Sequence, residues 1–354
     1  MKAAHVSVLD DVDKDKHEAC IRKRITNVLR MLVIALVLGY ICFQDYADKC
    51  LQDMWSVLRE NALFKWDTCE PFFVFWTFKF VFLVYDLFEA LYPNSHYWLI
   101  PEARGVHKRH GRSWLQCIYH ISAESYLQFA YYYAPILVFD FFYPRRKLPQ
   151  SIPSVGVVVL QVAGMLATYD FCFFWCHLLM HRNRTLYRQF HQKHHLAGSK
   201  YPMNHWHTIL LSFGQQWTNV TCSIFTVNSL KFATLGAYRY HPLARLIYNI
   251  VTVTWLSEEH SAYDMPWMIH NLIPLQFFGG PIHHYAHHTR GHGNYQKWFT
   301  YLDSWCGTKL PAFEETTSRP FPVETAQRKS PEVSSRSSSP SDKRPNKSER
   351  VAGA

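Results

Sequence analysis

The sequence predicts an all-α integral membrane protein, a bundle of about four transmembrane helices with a histidine-rich helical cap on its cytosolic side. Three observations lead to this fold class. Long apolar runs recur in the first half of the 354-residue chain, three histidine groups with helical spacing follow, and a polar tail closes the sequence. Apolar runs of about 20 residues are long enough to cross a bilayer as helices.

The N-terminal half is predicted to divide into a polar basic segment, 1–24, and a membrane-spanning region, 25–176. Residues 22–24 are all basic, which predicts an uncleaved anchor with a cytosolic N-terminus. The apolar runs that follow are Ile25–Phe43, Pro71–Tyr92, Leu127–Tyr143 and Ser154–Cys176. Four crossings return the chain to the cytosol just before the first histidines. The basic triplet 145–147 opposes this topology, because it would lie on the luminal side.

Charge and cysteine usage exclude several classes of protein. The formal charge is +10 and 16% of the residues are aromatic, which raises nucleic acid as a partner. No DNA- or RNA-binding signature occurs, however, and the basic residues flank apolar runs or lie in the tail, so a cytosolic membrane face explains them better. Nine cysteines without a C-x-x-C pair indicate neither a disulfide framework nor a thiolate zinc site.

The region 177–313 is predicted to carry the chemistry, whereas the Ser-, Pro- and Lys-rich residues 314–354 are predicted to be disordered. Helical side chains three and four residues apart share a face, so each histidine group can direct several imidazoles at one centre. Imidazole is a common ligand of iron, zinc, copper and nickel. The predicted ligands are His177, His181, His191, His194, His195, His260, His270, His284, His287 and His288.

Ten imidazoles exceed the four that a tetrahedral zinc ion takes, so the sequence predicts two metal ions side by side. Three further residues are candidates for supporting these ligands. Asp170 precedes His177 by seven residues, two helical turns away on the same face, where it can accept a ligand's other ring N–H. The alternative is a polar residue at a helix end near the membrane surface. Asp264 is a similar case, and His283 is expected to support a ligand rather than to bind metal.

Imidazole ligation alone does not identify the metal. A site at a membrane face favours a lipid substrate, and a pair of redox metals favours iron and the activation of dioxygen toward an unreactive C–H bond. The chain has no G-x-G-x-x-G motif after a strand, so electrons must come from a separate cytosolic protein. It also lacks the H-E-x-x-H motif of zinc proteases and the G-x-S-x-G motif of serine hydrolases.

The three histidine groups, together with EEHSAYDMPW and NYQKWFTYLDSWCGT, resemble the fatty acid hydroxylase and sterol desaturase superfamily. The resemblance covers roughly residues 154–310, and the segment 257–288 is most similar to the sterol hydroxylases of that superfamily. It implies a di-iron monooxygenase of the endoplasmic reticulum membrane that receives electrons from NADPH through a reductase or a b-type cytochrome. It also assigns His260 and His270 as ligands, although Ala262 stands where the family usually has glycine.

The hypothesis favoured by these features is hydroxylation of a sterol drawn from the membrane. A second interpretation keeps the same metal centre but makes the chain a sterol desaturase, or an oxidase of a methyl sterol or fatty acyl chain. A third, from another class, is a membrane protein that binds zinc or sterol without catalysis. Ligand spacing does not separate the first two, and only oxygen and reductant consumption separates them from the third.

Overall fold

The computed structural model of the chain describes residues 2–66, 68–92, 97, 138, 141–142, 148–200, 205–209 and 211–311. Within these residues the all-α prediction is confirmed, since strand-type pairing is limited to one isolated bridge between Phe278 and Phe299. Most of the third predicted run, Leu127–Tyr143, lies outside the described residues, as do the basic triplet 145–147 and the tail 314–354.

Helices are numbered here in chain order through the described residues, and a π-helix and a 3₁₀-helix interrupt the series. They are α1 (Lys2–Cys42), α2 (Gln44–Leu58), α3 (Ala62–Lys65), α4 (Cys69–Leu91), α5 (Val155–Arg182), α6 (Arg184–Leu186), the π-helix (Tyr187–His191), α7 (Gln192–Lys200), the 3₁₀-helix (His205–Thr208), α8 (Phe213–Ala233), α9 (Pro242–Glu259), α10 (Ile269–Leu272), α11 (Gly280–Arg290) and α12 (Tyr301–Trp305).

Among the described residues, three helical segments are long and apolar enough to cross a membrane. They are His17–Cys42 in α1, the whole of α4 and the whole of α5, and they match the first, second and fourth predicted runs. These spans fit a multi-pass membrane protein. The fourth span differs from the prediction at its end, because α5 continues past Cys176 to Arg182. The first two histidines therefore belong to the last turns of a membrane-spanning helix.

Helix α5 is the element against which the histidine-bearing region packs. Its N-terminus is capped by Ser154, whose hydroxyl accepts from the backbone N–H of Val157. Helices α8 and α9 both pack on α5, and α9 also packs on α4 and α11. Tyr169 of α5 stacks on Trp298 with the ring centroids 5.2 Å apart, in a core that includes Tyr248 of α9. This core holds the loop before α12 against the spanning helix.

A tight turn and a π-helix redirect the chain immediately after α5. The side chain of Asn183 accepts from the backbone N–H groups of Thr185 and Leu186 and begins the new helical segment. Ser212 caps α8 and also donates to the carbonyl of Phe190, which ties the π-helix to α8. Gly214 allows this approach, because a Cβ there would overlap the Phe190 ring. Single π-turns inside helices are frequent at functional sites.

The N-terminal helix is fastened to the segment that precedes α11. Arg22 of α1 pairs with the buried carboxylate of Asp264. Eight residues further along α1, Nη2 of Arg30 donates to the carbonyl of Asn271 at 2.6 Å. Both contacts join residues more than 240 positions apart in the chain. The first membrane helix thus contributes directly to the position of the 264–271 segment.

Gly280 begins α11 and Gly291 follows its last residue, and together they allow a matched test of packing. Both have a left-handed backbone, with φ of +60° at Gly280 and +70° at Gly291, which costs an L-residue about 1 to 2 kcal/mol. A Cβ at Gly280 would also overlap the His270 ring, whereas nothing lies within 4 Å of a Cβ at Gly291. We expect Gly280→Ala to lower the thermal unfolding temperature in detergent clearly more than Gly291→Ala does. Equal decreases would contradict this packing.

Candidate metal centre

Nine of the ten predicted histidine ligands lie in two clusters. Within each cluster, the candidate ligand atoms all lie within 4.8 Å of one another. The first cluster consists of His177, His181, His191, His195 and His287. The second cluster consists of His194, His260, His284 and His288. Among the residues that the structure describes, neither cluster contains a carboxylate or a thiolate, so imidazole is their common donor type.

The sequence groups do not map one to one onto the clusters. Histidines four residues apart stay together, and the middle histidine of each H-x-x-H-H group crosses to the other cluster. In the second group, the middle residue His194 joins the second cluster while its neighbours remain in the first. In the third group, the middle residue His287 joins the first cluster, whereas its neighbours His284 and His288 belong to the second. The repeated spacing therefore interlocks the two clusters.

The clusters lie side by side and are largely shielded from solvent. The rings of His195 and His288, one from each cluster, have centroids 4.7 Å apart. Within the clusters, neighbouring Nε2 atoms are separated by 2.9 Å for His195 and His191 and by 3.0 Å for His288 and His194. At these distances the two nitrogen atoms of each pair are in direct contact.

The tautomers of several of these histidines are fixed by acceptors at Nδ1. Nδ1 of His177 donates to the carbonyl of Tyr295 at 2.8 Å, and Nδ1 of His287 donates to that of Gly293 at 2.6 Å. Nδ1 of His191 lies 3.0 Å from Oε1 of Gln215, and in the second cluster Nδ1 of His260 donates to the carbonyl of Leu256 at 2.7 Å. With the proton on Nδ1, each Nε2 presents a lone pair to its cluster.

This arrangement fits a metal ion in each cluster. Nε2 of His177 and Nε2 of His191 are 3.0 Å apart, and neither carries a proton to share. Two lone pairs at that distance repel unless a cation lies between them. Ligand nitrogens bound about 2.1 Å from one ion, at right angles, lie about 3 Å apart, which matches the observed spacing. Outer acceptors that orient ligating histidines are a regular feature of metal sites.

Burial keeps these imidazoles neutral and ready to act as ligands. Desolvation, reinforced by the neighbouring histidines, holds the pKa of His194, His284 and His288 well below the ordinary value near 6.5. The same effect lowers the pKa of His195 to about 3. Metal binding requires the deprotonated ring, so protons compete weakly for these sites at neutral pH.

Asp170 supports the cluster histidines indirectly, through the backbone of a loop, and not by the direct contact that the sequence predicts. Its buried carboxylate does not reach a cluster histidine; it accepts from the backbone N–H groups of Lys297 and Trp298 at 2.9 and 2.8 Å and from Nε2 of Gln296 at 2.5 Å. Asp303 accepts from the N–H groups of Tyr295 and Gln296. The two carboxylates clamp the loop whose carbonyls orient His177 and His287. Asp170 therefore acts on the ligands through the backbone.

His270 differs from the expectation, because the structure brings it to neither cluster. Its Nε2 donates to Oδ1 of Asp264 at 2.9 Å, and Asp264 also accepts from Arg22 and from the side chain of Asn271. These partners lower the pKa of Asp264 to about 2 despite its burial. Asp264 thus accepts a ring N–H as predicted, but from a histidine outside the clusters. His283 is half-buried and its carbonyl accepts from Asn294.

Two residues that the sequence does not single out lie close to the clusters. Gln215 is buried in the first turn of α8 and holds His191. No spacing relates it to the histidines, although the serine that caps α8 three residues earlier marks a helix start. Lys297 is buried with its Nζ 4.8 Å from the Phe173 ring centroid and 3.8 Å from Oε2 of Glu259. The position of Lys297 is fixed by the loop that Asp170 and Asp303 hold in place.

A membrane-spanning helical fold that closes around paired imidazole clusters defines a class of membrane protein with a candidate dinuclear metal centre. The fatty acid hydroxylase family model matches residues 162–308, a range that contains every histidine of both clusters. Mouse (Mus musculus) cholesterol 25-hydroxylase is 30% identical over 261 residues, 73% of this chain and 82% of that protein. The chain belongs to the fatty acid hydroxylase family.

Two further relatives support this assignment. A zebrafish (Danio rerio) cholesterol 25-hydroxylase-like protein is 28% identical over 261 residues, which cover 73% of this chain and 97% of the relative. Human (Homo sapiens) cholesterol 25-hydroxylase is 32% identical over 162 residues, 46% of this chain and 55% of that protein. No solved structure matches the chain.

Removal of one ligand from either cluster tests the metal assignment. We expect the purified protein to bind two metal ions per chain, and His191→Ala or His284→Ala to lower that number toward one, because each change opens only one cluster. His283→Ala is the control, since His283 lies outside both clusters. Metal analysis by mass spectrometry measures the ratio. Two ions retained in both ligand variants would contradict the assignment.

The metal-free protein should lose stability on acidification. An unfolded chain protonates its histidines below about pH 6.5, whereas burial prevents this in the folded clusters until much lower pH, so the unfolded state binds more protons. Glu258, Glu259 and Asp303, whose pKa values burial raises, act in the opposite sense but are outnumbered by the histidines. We therefore expect the unfolding temperature of the metal-free protein to fall between pH 7.5 and pH 5.

The matched comparison for this pH effect is the double variant His194→Gln and His195→Gln. Its unfolding temperature should depend less steeply on pH, because two of the neutral histidines are gone, whatever its stability at pH 7.5. Thermal scans in detergent after chelation provide both slopes. Parallel slopes for the two proteins would show that these histidines do not carry the pH dependence.

Proposed function

We propose that this protein hydroxylates a sterol in the membrane, with an iron ion in each histidine cluster, dioxygen as co-substrate and electrons from another protein. The observation that carries the proposal is the pair of adjacent clusters, in which nine neutral imidazoles converge at the end of a membrane-spanning helix. Membership of the fatty acid hydroxylase family supports oxidative chemistry on a lipid.

Iron is the metal that fits both the imidazole ligands and the oxidation of a C–H bond by dioxygen. Imidazole suits iron, zinc, copper and nickel alike, and the names of the relatives select a hydroxylase. Two iron ions supply, when bound, the activation of dioxygen that an unreactive C–H bond requires. The first cluster would be held by His177, His181, His191, His195 and His287, and the second by His194, His260, His284 and His288.

The protein's own residues orient and isolate the centre. The carbonyls of Tyr295 and Gly293 keep the protons of His177 and His287 on Nδ1, so these rings bind through Nε2 and do not act as general acids. Burial excludes water from the clusters, which protects a reactive centre from side reactions.

Access from the bilayer is provided by α5. Phe171, Trp175 and Leu179 recur every four residues and are exposed, so they form an apolar stripe on the spanning helix that carries His177 and His181. A sterol dissolved in the membrane meets this stripe before it reaches the clusters. We propose the endoplasmic reticulum membrane as the location, and NADPH as the source of electrons through a reductase or a b-type cytochrome.

The sterol is proposed as substrate because relatives similar in sequence are named cholesterol 25-hydroxylases. Desaturation of a sterol, or oxidation of a methyl or acyl group, would use the same centre and differs in how the substrate is held. Analysis of products separates these reactions. A zinc- or sterol-binding protein without catalysis would consume neither dioxygen nor reductant.

Expression in membranes that lack the activity tests the proposal. We expect cells fed labelled cholesterol to form a hydroxylated product, identified by mass spectrometry, and His194→Ala to abolish it by removing a ligand of the second cluster. His292→Ala, at an exposed histidine outside both clusters, should retain the product. Product formation by His194→Ala would refute the ligand role, and a desaturated product would assign the second reaction.

A further inference from the structure

The catalytic region has an unusual distribution of charge. No aspartate or glutamate occurs from Phe171 to Ser257. The next carboxylates, Glu258, Glu259 and Asp264, are buried or half-buried. Four basic residues in this region are exposed within a single short segment, and we call them the basic face: Arg182, Arg184, Arg188 and Lys193. No acidic residue of the same segment compensates their charge.

The basic face belongs to the same chain segment as three histidines of the first cluster. Its residues alternate along the chain with His181, His191 and His195, which face inward. Tyr187, next to Arg188 in the chain, contacts histidines of that cluster. Its half-buried ring has its centroid 5.4 Å from the His181 ring and 5.8 Å from the His195 ring. This side chain therefore links the segment of the basic face to the imidazoles by direct ring contacts.

The composition of this surface favours a protein partner over a lipid bilayer. A helix that lies in a membrane interface presents large apolar side chains to the acyl chains. Between residues 182 and 195, the exposed side chains that the structure describes are arginine, asparagine, threonine, glutamine and lysine. The exposed apolar residues Leu179 and Leu196 lie outside this segment. A wholly polar, positively charged surface is suited to a partner with an acidic surface.

We propose that the basic face is the docking site of an acidic one-electron donor protein and that Tyr187 is the contact through which its electrons reach the first cluster. This inference rests on the proposed function. Hydroxylation consumes one dioxygen, two electrons and two protons per C–H bond, and it yields one alcohol and one water. The donor supplies the two electrons singly. The electrons pass from the donor to the cluster through the packed Tyr187 ring, and the ring itself is not oxidised.

Charge reversal on the basic face tests the docking site. The test uses the full-length protein in nanodiscs of neutral lipid and the soluble domain of an acidic b-type cytochrome. Arg184→Glu with Arg188→Glu should weaken cytochrome binding at low ionic strength about tenfold or more, and high salt should remove the difference. Replacement of both residues by Gln should give an intermediate loss.

The control is Arg239→Glu, an exposed arginine between α8 and α9. Helix α8 packs against the π-helix near its start, and a helix of 21 residues spans about 30 Å, so Arg239 lies far from the basic face. This variant should bind the cytochrome as the unchanged protein does. Equal weakening by both reversals would refute a localised docking site.

Electron delivery tests the role of Tyr187. In the iron-loaded protein, Tyr187→Leu should slow the reoxidation of bound reduced cytochrome without changing its Kd, because it removes the packed ring and leaves the basic face intact. Tyr187→Phe, which keeps the ring, should retain the rate. Rates that are unchanged in Tyr187→Leu would refute this path.

The remaining outcomes separate docking from catalysis and from lipid binding. With dithionite as the reductant, the charge-reversed protein should form as much product as the unchanged protein. If neither forms product while charge reversal still abolishes cytochrome binding, the proposed function fails and the docking site stands. If charge reversal weakens binding to anionic vesicles and leaves cytochrome binding unchanged, the basic face is a lipid contact and the docking proposal is wrong.

Discussion

The structure depends on one electrostatic constraint, the approach of unprotonated imidazole nitrogens to about 3 Å inside a desolvated site. His177 and His191 illustrate it, because both donate their Nδ1 protons outward and turn lone pairs toward each other. Burial disfavours protonation, so the repulsion cannot be relieved by charging one ring. A cation between the nitrogens relieves it. The surrounding helices and loops serve to hold the rings in this otherwise unfavourable arrangement.

The elements that maintain this arrangement extend into the membrane. Helix α5 is long and apolar enough to span the bilayer and supplies the first two cluster histidines, and its Asp170 clamps the loop whose carbonyls orient His177 and His287. The contacts of Arg22 and Arg30 link α1 to the segment that leads into α11. Movement of the membrane helices would therefore be transmitted to the ligands. The membrane part and the histidine region are joined by packing rather than by a flexible linker at residues 176 and 177.

The distribution of charge divides the site into a neutral interior and a positive exterior. Within the described part of the chain both clusters consist of imidazoles alone, so any bound ions would be held by neutral protein ligands. The exterior carries exposed arginine and lysine in a chain segment that contains no acidic residue. Metal-centred redox chemistry and recruitment of an acidic donor are compatible in such a protein, because each uses a different layer of the same helical segment.

The sequence by itself determined the helical class, three candidate membrane spans and the nine histidines that form the two clusters. These follow from local rules, since apolar length specifies a span and spacings of three and four specify a helical face. Tertiary structure alone decided which cluster each histidine joins, because the exchange of His194 and His287 depends on how two helices face each other. It also moved Asp170 from a direct contact to a backbone clamp and directed His270 to Asp264. It recruited Gln215 as well, because a contact between residues distant in the chain leaves no periodic trace in the sequence.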